Sequence, residues 1–511
     1  MRAVSSYLFG QWVEGTGEER PIVDPTTGAT LAVVRDGGLD LGGALVWGRE
    51  RGAALRAMTF AQRGSMLRGL SGAVHAARDE LFDIARVDSG NTRSDAKFDV
   101  DGASGTLAYY AALGERLGER TLLVDGEDEP VGRSKRFVGR HLFVPREGIA
   151  IHLNAFNFPA WGLCEKLAVA LLAGVPVLAK PSWETALVAV RIVELWAEAG
   201  LLPEGALQLF VGEPRDLLDH VRSQDVVAFT GSRATGRLVK SHPAVLRTGA
   251  RVGVEADSLN AAVVGPDVAP GEETFELLVN DVARDLTQKA GQKCTALRRI
   301  VVPTGLVEPL VEALSSRLGD AVLGDPVARE TTVGPLAASR HQKNALAGIA
   351  ELARTAERVI GDPDAVPAEG CFVAPQVFVD RRGALAPRVH DHEIFGPVAT
   401  LLPYDGDAAE AIRIVTRGDG GLVCAVYSDD LDWAGPVVRG LLSWHGRVVW
   451  GSKKVADQGV GPGTVLPNAV HGGPGAAGDG EELGGPRGLE FYWQRVALQA
   501  DKLLMDRILG A

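Results

Sequence analysis

Four cysteines, Cys164, Cys294, Cys371 and Cys424, occur in 511 residues, and one of them stands in a segment unlike the rest. From Gln288 to Arg299 the chain reads QKAGQKCTALRR. Lys289, Lys293, Arg298 and Arg299 crowd Cys294, and Gly291 frees the backbone just ahead of it. Nearby positive charge favours the thiolate, the reactive form of cysteine, so the segment predicts a nucleophile. Such a nucleophile needs a proton acceptor and a donor facing the oxyanion it creates. A lone cysteine is otherwise a small buried hydrophobe, and what else the chain brings to Cys294 decides between the two.

Two residues answer that need. Glu255 ends the run RVGVEADSLN. A carboxylate partly buried at a strand end has a raised pKa and can act as a general base near neutrality; a salt-bridged structural Glu is the alternative. Asn157, in NAFNFPAW, lies between a strand end and a helix expected to start at Pro159. Its amide can donate to an oxyanion, or serve as a turn or cap residue. Lys180 ends the apolar run of VLAKPSWET, where a buried ammonium needs a partner such as a ribose or phosphate. In VVAFTGSRATG, Gly231 and Gly236 let a phosphate approach a helix N-terminus closely, with Ser232 adding a hydroxyl. Arg237 and Leu238 follow Gly236, which departs from the P-loop pattern. His390 and His392 in HDHEIFG have no third ligand cluster, so no metal site is expected.

These residues are brought together by a regular alternation. GIAIHLN, VPVLAK, ALQLFVG, VVAFTG and ARVGVEA read as strands, separated by helices in PAWGLCEKLAVALLAG, ETALVAVRIVELWAEAG, RDLLDHVRSQ and SRATGRLVKSH. Alternating strands and helices with continuous apolar strands mean an α/β fold, a parallel sheet covered on both faces. Such sheets bind ligands beyond the strand carboxyl ends, and Asn154 to Asn157, Lys180, Gly212, Thr230 to Ser232 and Glu255 all fall there. Residues 41–87 and about 95–117 are expected to be helical. Residues 121–145 read as a hairpin around an acidic turn, available to a partner chain. Residues 255–467 repeat the α/β theme, the Gly-rich 471–485 is expected to be loop, and the tail reads as a strand and a short helix.

At about 150 residues per domain, the length predicts two to four domains. The net charge of −12 argues against coating nucleic acid or an anionic membrane. No apolar run is long enough to span a bilayer, no signal peptide is evident, and no cysteine pair suggests a disulfide framework. The expectation is a cytoplasmic enzyme.

Over nearly its whole length the chain resembles the aldehyde dehydrogenase superfamily, through NAFNFPAWG, LAKPSWETA, VAFTGS, GVEADSLN, GQKCTALRR and DHEIFGPV in that order. The resemblance implies a nicotinamide-cofactor domain (residues 1–120 and 146–254), a catalytic domain (255–467) and an oligomerisation element (121–145 and 486–511) of a homodimer or homotetramer. It implies that Cys294 is the nucleophile, that Asn157 and the Cys294 amide form the oxyanion hole, that Glu255 activates water, and that Lys166 lies near the proton pathway. For the cofactor it implies Lys180 at the ribose, Ser232 at the pyrophosphate, and Glu393 and Phe395 on the nicotinamide-ribose side, with Gly212, Thr230 and Gly231 lining the crevice. HGGPGxAGxGEELGG and AGQKCTA are similar to a branch that oxidises CoA-linked semialdehydes in aromatic degradation, so a CoA-thioester semialdehyde is the implied substrate. Three positions depart from the pattern. Where many NAD-using members have Glu, this chain has Trp183, which implies NADP over NAD, with Ser182, Lys180 and Arg215 as contacts for a 2′-phosphate. Ala476 and Asp479 replace a common Arg and Gly and, with the unfamiliar WGSKK at 450–454, are expected to line or gate the substrate entrance.

Overall fold

The computed structural model describes residues 2–134 and 136–509. Two seven-stranded sheets organise the chain. In the first the order is Arg251–Glu255, Val226–Thr230, Ala150–Leu153, Val177–Lys180, Leu207–Leu209, then Ser6–Leu8 and Gln11–Val13. The first five strands are parallel, and the last two form an antiparallel hairpin on the edge. The chain's first parallel strand, Ala150–Leu153, sits inside the sheet, and later strands are added on both sides of it. Strand order therefore reverses there, which opens a crevice at the carboxyl ends. The second sheet runs Glu357–Ile360, Gln376–Val379, Val398–Tyr404, Arg299–Pro303, Ala261–Val264, Gly421–Tyr427, His445–Gly451. It is parallel except for its first strand.

The helix Trp161–Ala173 is apolar on nearly all sides and almost wholly buried, because it is packed between the first sheet and the long helix Arg93–Leu117. It begins two residues later than Pro159. The reason lies on its neighbour: the buried Asp99 carboxylate accepts from the Ala160 and Trp161 N–H groups at 3.3 and 2.8 Å, fixing the first turn from outside. Its C-terminus follows the expected rule, with Gly174 left-handed at φ 88°.

A third, three-stranded antiparallel sheet has the order Trp493–Asp501, Phe137–Pro145, Leu123–Pro130. The acidic stretch expected to be its turn belongs instead to the strand Leu123–Pro130, where a register shift between Asp125 and Glu129 accommodates it. Nor is 471–485 a loop. Val470–Gly473 and Gly480–Leu483 pair as a small antiparallel hairpin lying against the end of the first sheet. Glycine makes this possible: a Cβ on Gly480 would stand 2.6 Å from the Val254 carbonyl oxygen. Ala256 N–H donates to the Ala477 carbonyl, so the hairpin is stitched to the segment that carries Glu255.

Candidate active site

Cys294 lies between the helix Glu273–Thr287 and the strand Arg299–Pro303, in a turn with unusual backbone geometry. Lys289, Ala290 and Gly291 are all left-handed, at φ 54°, 49° and 71°. Two non-glycine residues in that region store strain, and the surroundings hold them there. Lys289 N–H donates to Asp95 at 2.9 Å, and its ammonium sits 4.5 Å from the centre of the Phe158 ring. Asn260 Nδ2 donates to the carbonyls of Cys294 and Ala296 at 2.7 and 3.0 Å. A Cβ on Gly291 would stand 2.4 Å from the Gly396 carbonyl oxygen. Gly291→Ala is therefore expected to cost at least ~1–3 kcal/mol from backbone strain alone, read as a lowered denaturant midpoint.

The four cations around Cys294 in sequence do not face its sulfur. Lys293 donates to Asp285 and Gln288. Arg298 pairs with Glu393 and reaches the Gly291, Lys293 and Gly396 carbonyls. Arg299 donates to the carbonyls of Leu259 and Val415. They brace the loop rather than charge it. Burial, and then the Glu255 carboxylate, push the Cys294 thiol well above its ordinary range, the reverse of the expected thiolate.

Cys294 opens into a pocket lined by Asn157, Phe158, Trp161, Glu165, Lys166, Thr230, Glu255, Val465 and His471, among others. Three of the expected catalytic residues thus meet, and Lys166 joins them. Asn157 Nδ2 donates to the Gln292 carbonyl at 3.0 Å, which fixes the amide and leaves its second N–H for the pocket. Asn157→Ala is expected to reduce kcat by about 10²–10³-fold with cofactor binding unchanged, by initial rates and a binding titration.

Glu255 is 1% exposed, but its proton affinity is not raised. Burial would raise it, and His471 and then Lys166 outweigh that, holding the carboxyl down at about 2. His471 is the residue that sequence reasoning missed. Its Nε2 lies 3.2 Å from Glu255 Oε2 and 4.0 Å from Cys294 Sγ. The Gly-rich stretch around it reads as loop, and only its pairing as a strand turns the side chain inward. Behind Glu255, the buried Lys166 ammonium lies 3.2 Å from Glu165 and 3.1 Å from Glu482. Burial alone would lower the Lys166 pKa, but Glu482, Glu165 and Glu255 together raise it. Burial also pushes Glu482 up to about 7.

The residues expected to hold a cofactor stand along the carboxyl edge of the first sheet. Lys180 is half-buried at the strand end, and desolvation lowers its pKa against the pull of Glu213. Ser182 is buried beside it. Trp183 donates to Glu213 Oε1 at 3.0 Å, and Arg215 binds Asp36 at 2.5 Å. This corner is therefore not free of carboxylates, although Trp183 fills the position of the missing one. Gly212 carries no Cβ where one would stand 2.4 Å from Asp36 Cβ. Ser232 caps the helix Arg233–Lys240, accepting from Thr235 N–H at 3.3 Å. The Thr230 hydroxyl and both side-chain polar atoms of Asn154 are buried without hydrogen-bond partners, which marks the crevice as built for a polar ligand. Across it, Glu393 accepts from Ser258 N–H at 2.9 Å and pairs with Arg298, while burial raises it to about 7. Phe395 packs edge-on against Phe156.

Other expected residues lie elsewhere. His390 accepts from Arg299 through Nδ1 and faces the Gly383 carbonyl through Nε2, and His392 is exposed, so this pair is structural. Ala476 is buried under the hairpin and Asp479 is exposed at its turn. Trp450 donates to the Ser428 carbonyl. None of the three, nor Lys453 and Lys454, is among the residues lining the Cys294 pocket, whose outer wall comes from Gly463 and Val465 instead.

Comparison with known proteins shows which family and fold the chain shares. The aldehyde dehydrogenase family model matches residues 12–497. A 3,4-dehydroadipyl-CoA semialdehyde dehydrogenase of Aromatoleum evansii is 44% identical over 478 residues, 92% of this chain and 93% of the relative. A betaine aldehyde dehydrogenase of Vibrio vulnificus is 30% identical over 453 residues, 86% of this chain and 88% of its own. Among solved structures, PnpE from Pseudomonas sp. WBC-3 superposes with a TM-score of 0.85 at 22% identity, covering 98% of both chains. A betaine aldehyde dehydrogenase of Staphylococcus aureus, solved with NAD+, gives 0.84 at 24% identity over 97% of both chains.

Proposed function

This chain belongs to the aldehyde dehydrogenase family, and on that premise we propose that it oxidises a CoA-thioester semialdehyde, of the 3,4-dehydroadipyl-CoA semialdehyde type, to the carboxylic acid. The observation that carries the reaction is the meeting of Cys294, Asn157 and Glu255 in one pocket at the carboxyl edge of the first sheet. The substrate class rests on the 44% identical relative.

The thiol of Cys294 is held protonated by its surroundings, so attack on the aldehyde carbon requires its proton to leave. Glu255 is the carboxylate that raises the thiol, with its oxygen within 4.8 Å of the sulfur, and it is placed to take that proton. As the S–C bond forms, the Asn157 amide donates to the carbonyl oxygen as it becomes an alkoxide. A bound nicotinamide dinucleotide supplies the hydride acceptor that turns the adduct into a thioester. Glu255 then gives up the thiol proton to solvent; water attacks the thioester carbon as Glu255 takes the water's proton, the C–S bond breaks, and that proton returns to Cys294 as the acid leaves. Phe98, Phe158, Trp161 and Val465 give the pocket apolar walls, which fit an aliphatic acyl chain and exclude competing water.

Lys180, Ser182, Thr230, Gly231 and Ser232 would hold the adenosine and phosphate half of the cofactor, and Glu393 and Phe395 the nicotinamide half. We read the preference as NADP, on Lys180 and Arg215 with Ser182; Glu213 is the acid that a 2′-phosphate has to turn aside. The expected domain roles follow the sheets: the first binds cofactor, the second carries the nucleophile. The three-stranded sheet, with exposed Val124, Phe137, Val496, Leu503 and Ile508 on and beside it, pairs subunits into a homodimer or homotetramer. No helix among the described residues is long and apolar enough to cross a membrane.

The test is absorbance of reduced nicotinamide on mixing the protein with NADP or NAD and a panel of aldehydes, with and without a CoA thioester. The reading predicts faster turnover with CoA-linked semialdehydes and NADP. Activity on free aldehydes alone removes the CoA assignment; selectivity for NAD removes the cofactor preference.

A further inference from the structure

We infer that Cys294, His471 and Glu255 form a capture site for a borderline divalent cation, Zn2+ by donor chemistry, whose occupancy switches the nucleophile off. One donor atom from each residue lies within 4.8 Å of the others. Nε2 of His471 is 3.2 Å from Glu255 Oε2 and 4.0 Å from Cys294 Sγ. With ordinary Zn–N, Zn–O and Zn–S bonds, a tetrahedral ion separates N from O by about 3.4 Å and N from S by about 3.6 Å. The three side chains stand within a few tenths of an ångström of those edges before any ion draws them in. Thiolate, imidazole and carboxylate together select zinc over magnesium or calcium, which take oxygen ligands. The fourth position faces the substrate pocket, the open arrangement of a site that exchanges its ligand.

A second observation points the same way. Both oxygens of Glu255 and Nδ1 of His471 are buried and make no hydrogen bond. The one close approach to this carboxylate is His471 Nε2 at 3.2 Å, too poorly aligned to satisfy it, and a buried carboxylate so short of donors has room for a cation or a mobile proton. The neighbouring group Glu165, Glu255 and Glu482 already contains its cation, the Lys166 ammonium. The Cys294 side of Glu255 holds only a thiol and an imidazole, whose protons a metal can displace.

Capture is a ligand exchange without redox chemistry. The S–H bond of Cys294 and the Nε2–H bond of His471 break, both protons leave to solvent unless Nδ1 takes the second, and S–Zn and N–Zn bonds form; Glu255 gives the ion a further lone pair. A chelator reverses it. The charged and titratable groups facing the site are Glu255, Glu165, Lys166, Glu482 and Arg447. The ligating forms are a thiolate and a neutral imidazole, so protons compete with the metal and apparent affinity rises with pH.

The probe is Co2+ added to the EDTA-treated full chain, without aldehyde or nicotinamide. One equivalent is expected to give a thiolate-to-cobalt charge-transfer band with visible ligand-field bands of tetrahedral strength, and Zn2+ to displace it. Occupancy is expected to protect Cys294 from iodoacetamide, read on its peptide by mass spectrometry, since Cys371 is also partly exposed. His471→Phe and His471→Gln are each expected to weaken Co2+ binding at least ~100-fold. A spectrum without the thiolate band, unprotected Cys294, or unchanged affinity in a folded His471 variant overturns the site. The wild-type spectrum decides even if neither variant folds. The switching half rests on Cys294 being the nucleophile of aldehyde oxidation. Metal binding without any aldehyde turnover in the metal-free enzyme sinks that reading alone, and turnover unaffected by bound Zn2+ sinks the switch.

Discussion

Cys294→Ala is expected to abolish aldehyde-dependent reduction of the nicotinamide cofactor, by ~10⁴-fold or more. Removing a covalent nucleophile leaves only binding and oxyanion stabilisation, and no other described thiol can substitute: Cys164 and Cys424 are buried, and Cys371 is not part of the pocket. The backbone should hold, since the strained turn is fixed through the Asn260 amide and the Asp95 carboxylate acting on main-chain atoms. Cofactor binding, measured by fluorescence titration, should therefore match the parent, because Lys180 and Thr230 end strands of the other large sheet and Ser232 caps the helix that follows Thr230. Residual activity within tenfold of the parent would falsify the assignment of Cys294.

Glu255→Gln should behave differently. Loss of the carboxylate lets some thiolate form without Glu255, so one equivalent of cofactor is still reduced per site, more slowly than in the parent, and hydrolysis slows further, by about 10²–10⁴-fold, the usual share of a general base. A burst without turnover, with an acyl adduct on the Cys294 peptide, is the expected signature. The substitution also removes the carboxylate that raises the thiol. Loss of a neighbouring negative charge lowers a thiol pKa, so iodoacetamide should modify Cys294 faster in the variant at neutral pH. Unchanged alkylation would show that burial, and not Glu255, holds the proton on sulfur; unchanged turnover would move the base elsewhere.

The strands of the first sheet were legible because each is a continuous apolar run closed by Gly, Lys or Glu, and their ends place Lys180, Thr230 and Glu255 correctly. Cys294 stood out by its basic, Gly-containing segment and Asn157 by its place between a strand end and a helix start, and the structure brings both to one pocket. Electrostatics was not. A row of Lys and Arg around a cysteine suggests a positive pocket, yet each of those side chains reaches an acid, a carbonyl or a ring of its own, and the groups left facing sulfur come from distant segments: Glu255, and Glu165 and Glu393. Likewise, no local pattern tells that Glu255 meets His471 across 216 positions of chain (471 − 255). The hairpin that carries His471 hides behind its glycines, which read as loop but are there to let backbone pass within contact distance of backbone.

That hairpin sets an order of events in the life of the chain. Cys294, Asn157 and Glu255 all leave the ribosome well before His471 and Glu482, and the pocket's inner wall is missing until Val470–Leu483 folds back onto the strand Arg251–Glu255. A chain interrupted before that point presents a cysteine without its imidazole neighbour and leaves Lys166 short of one counter-charge. The last part of the pocket to be made is thus its imidazole neighbour, and the residues named for the chemistry are in place on the two large sheets before the hairpin closes over them.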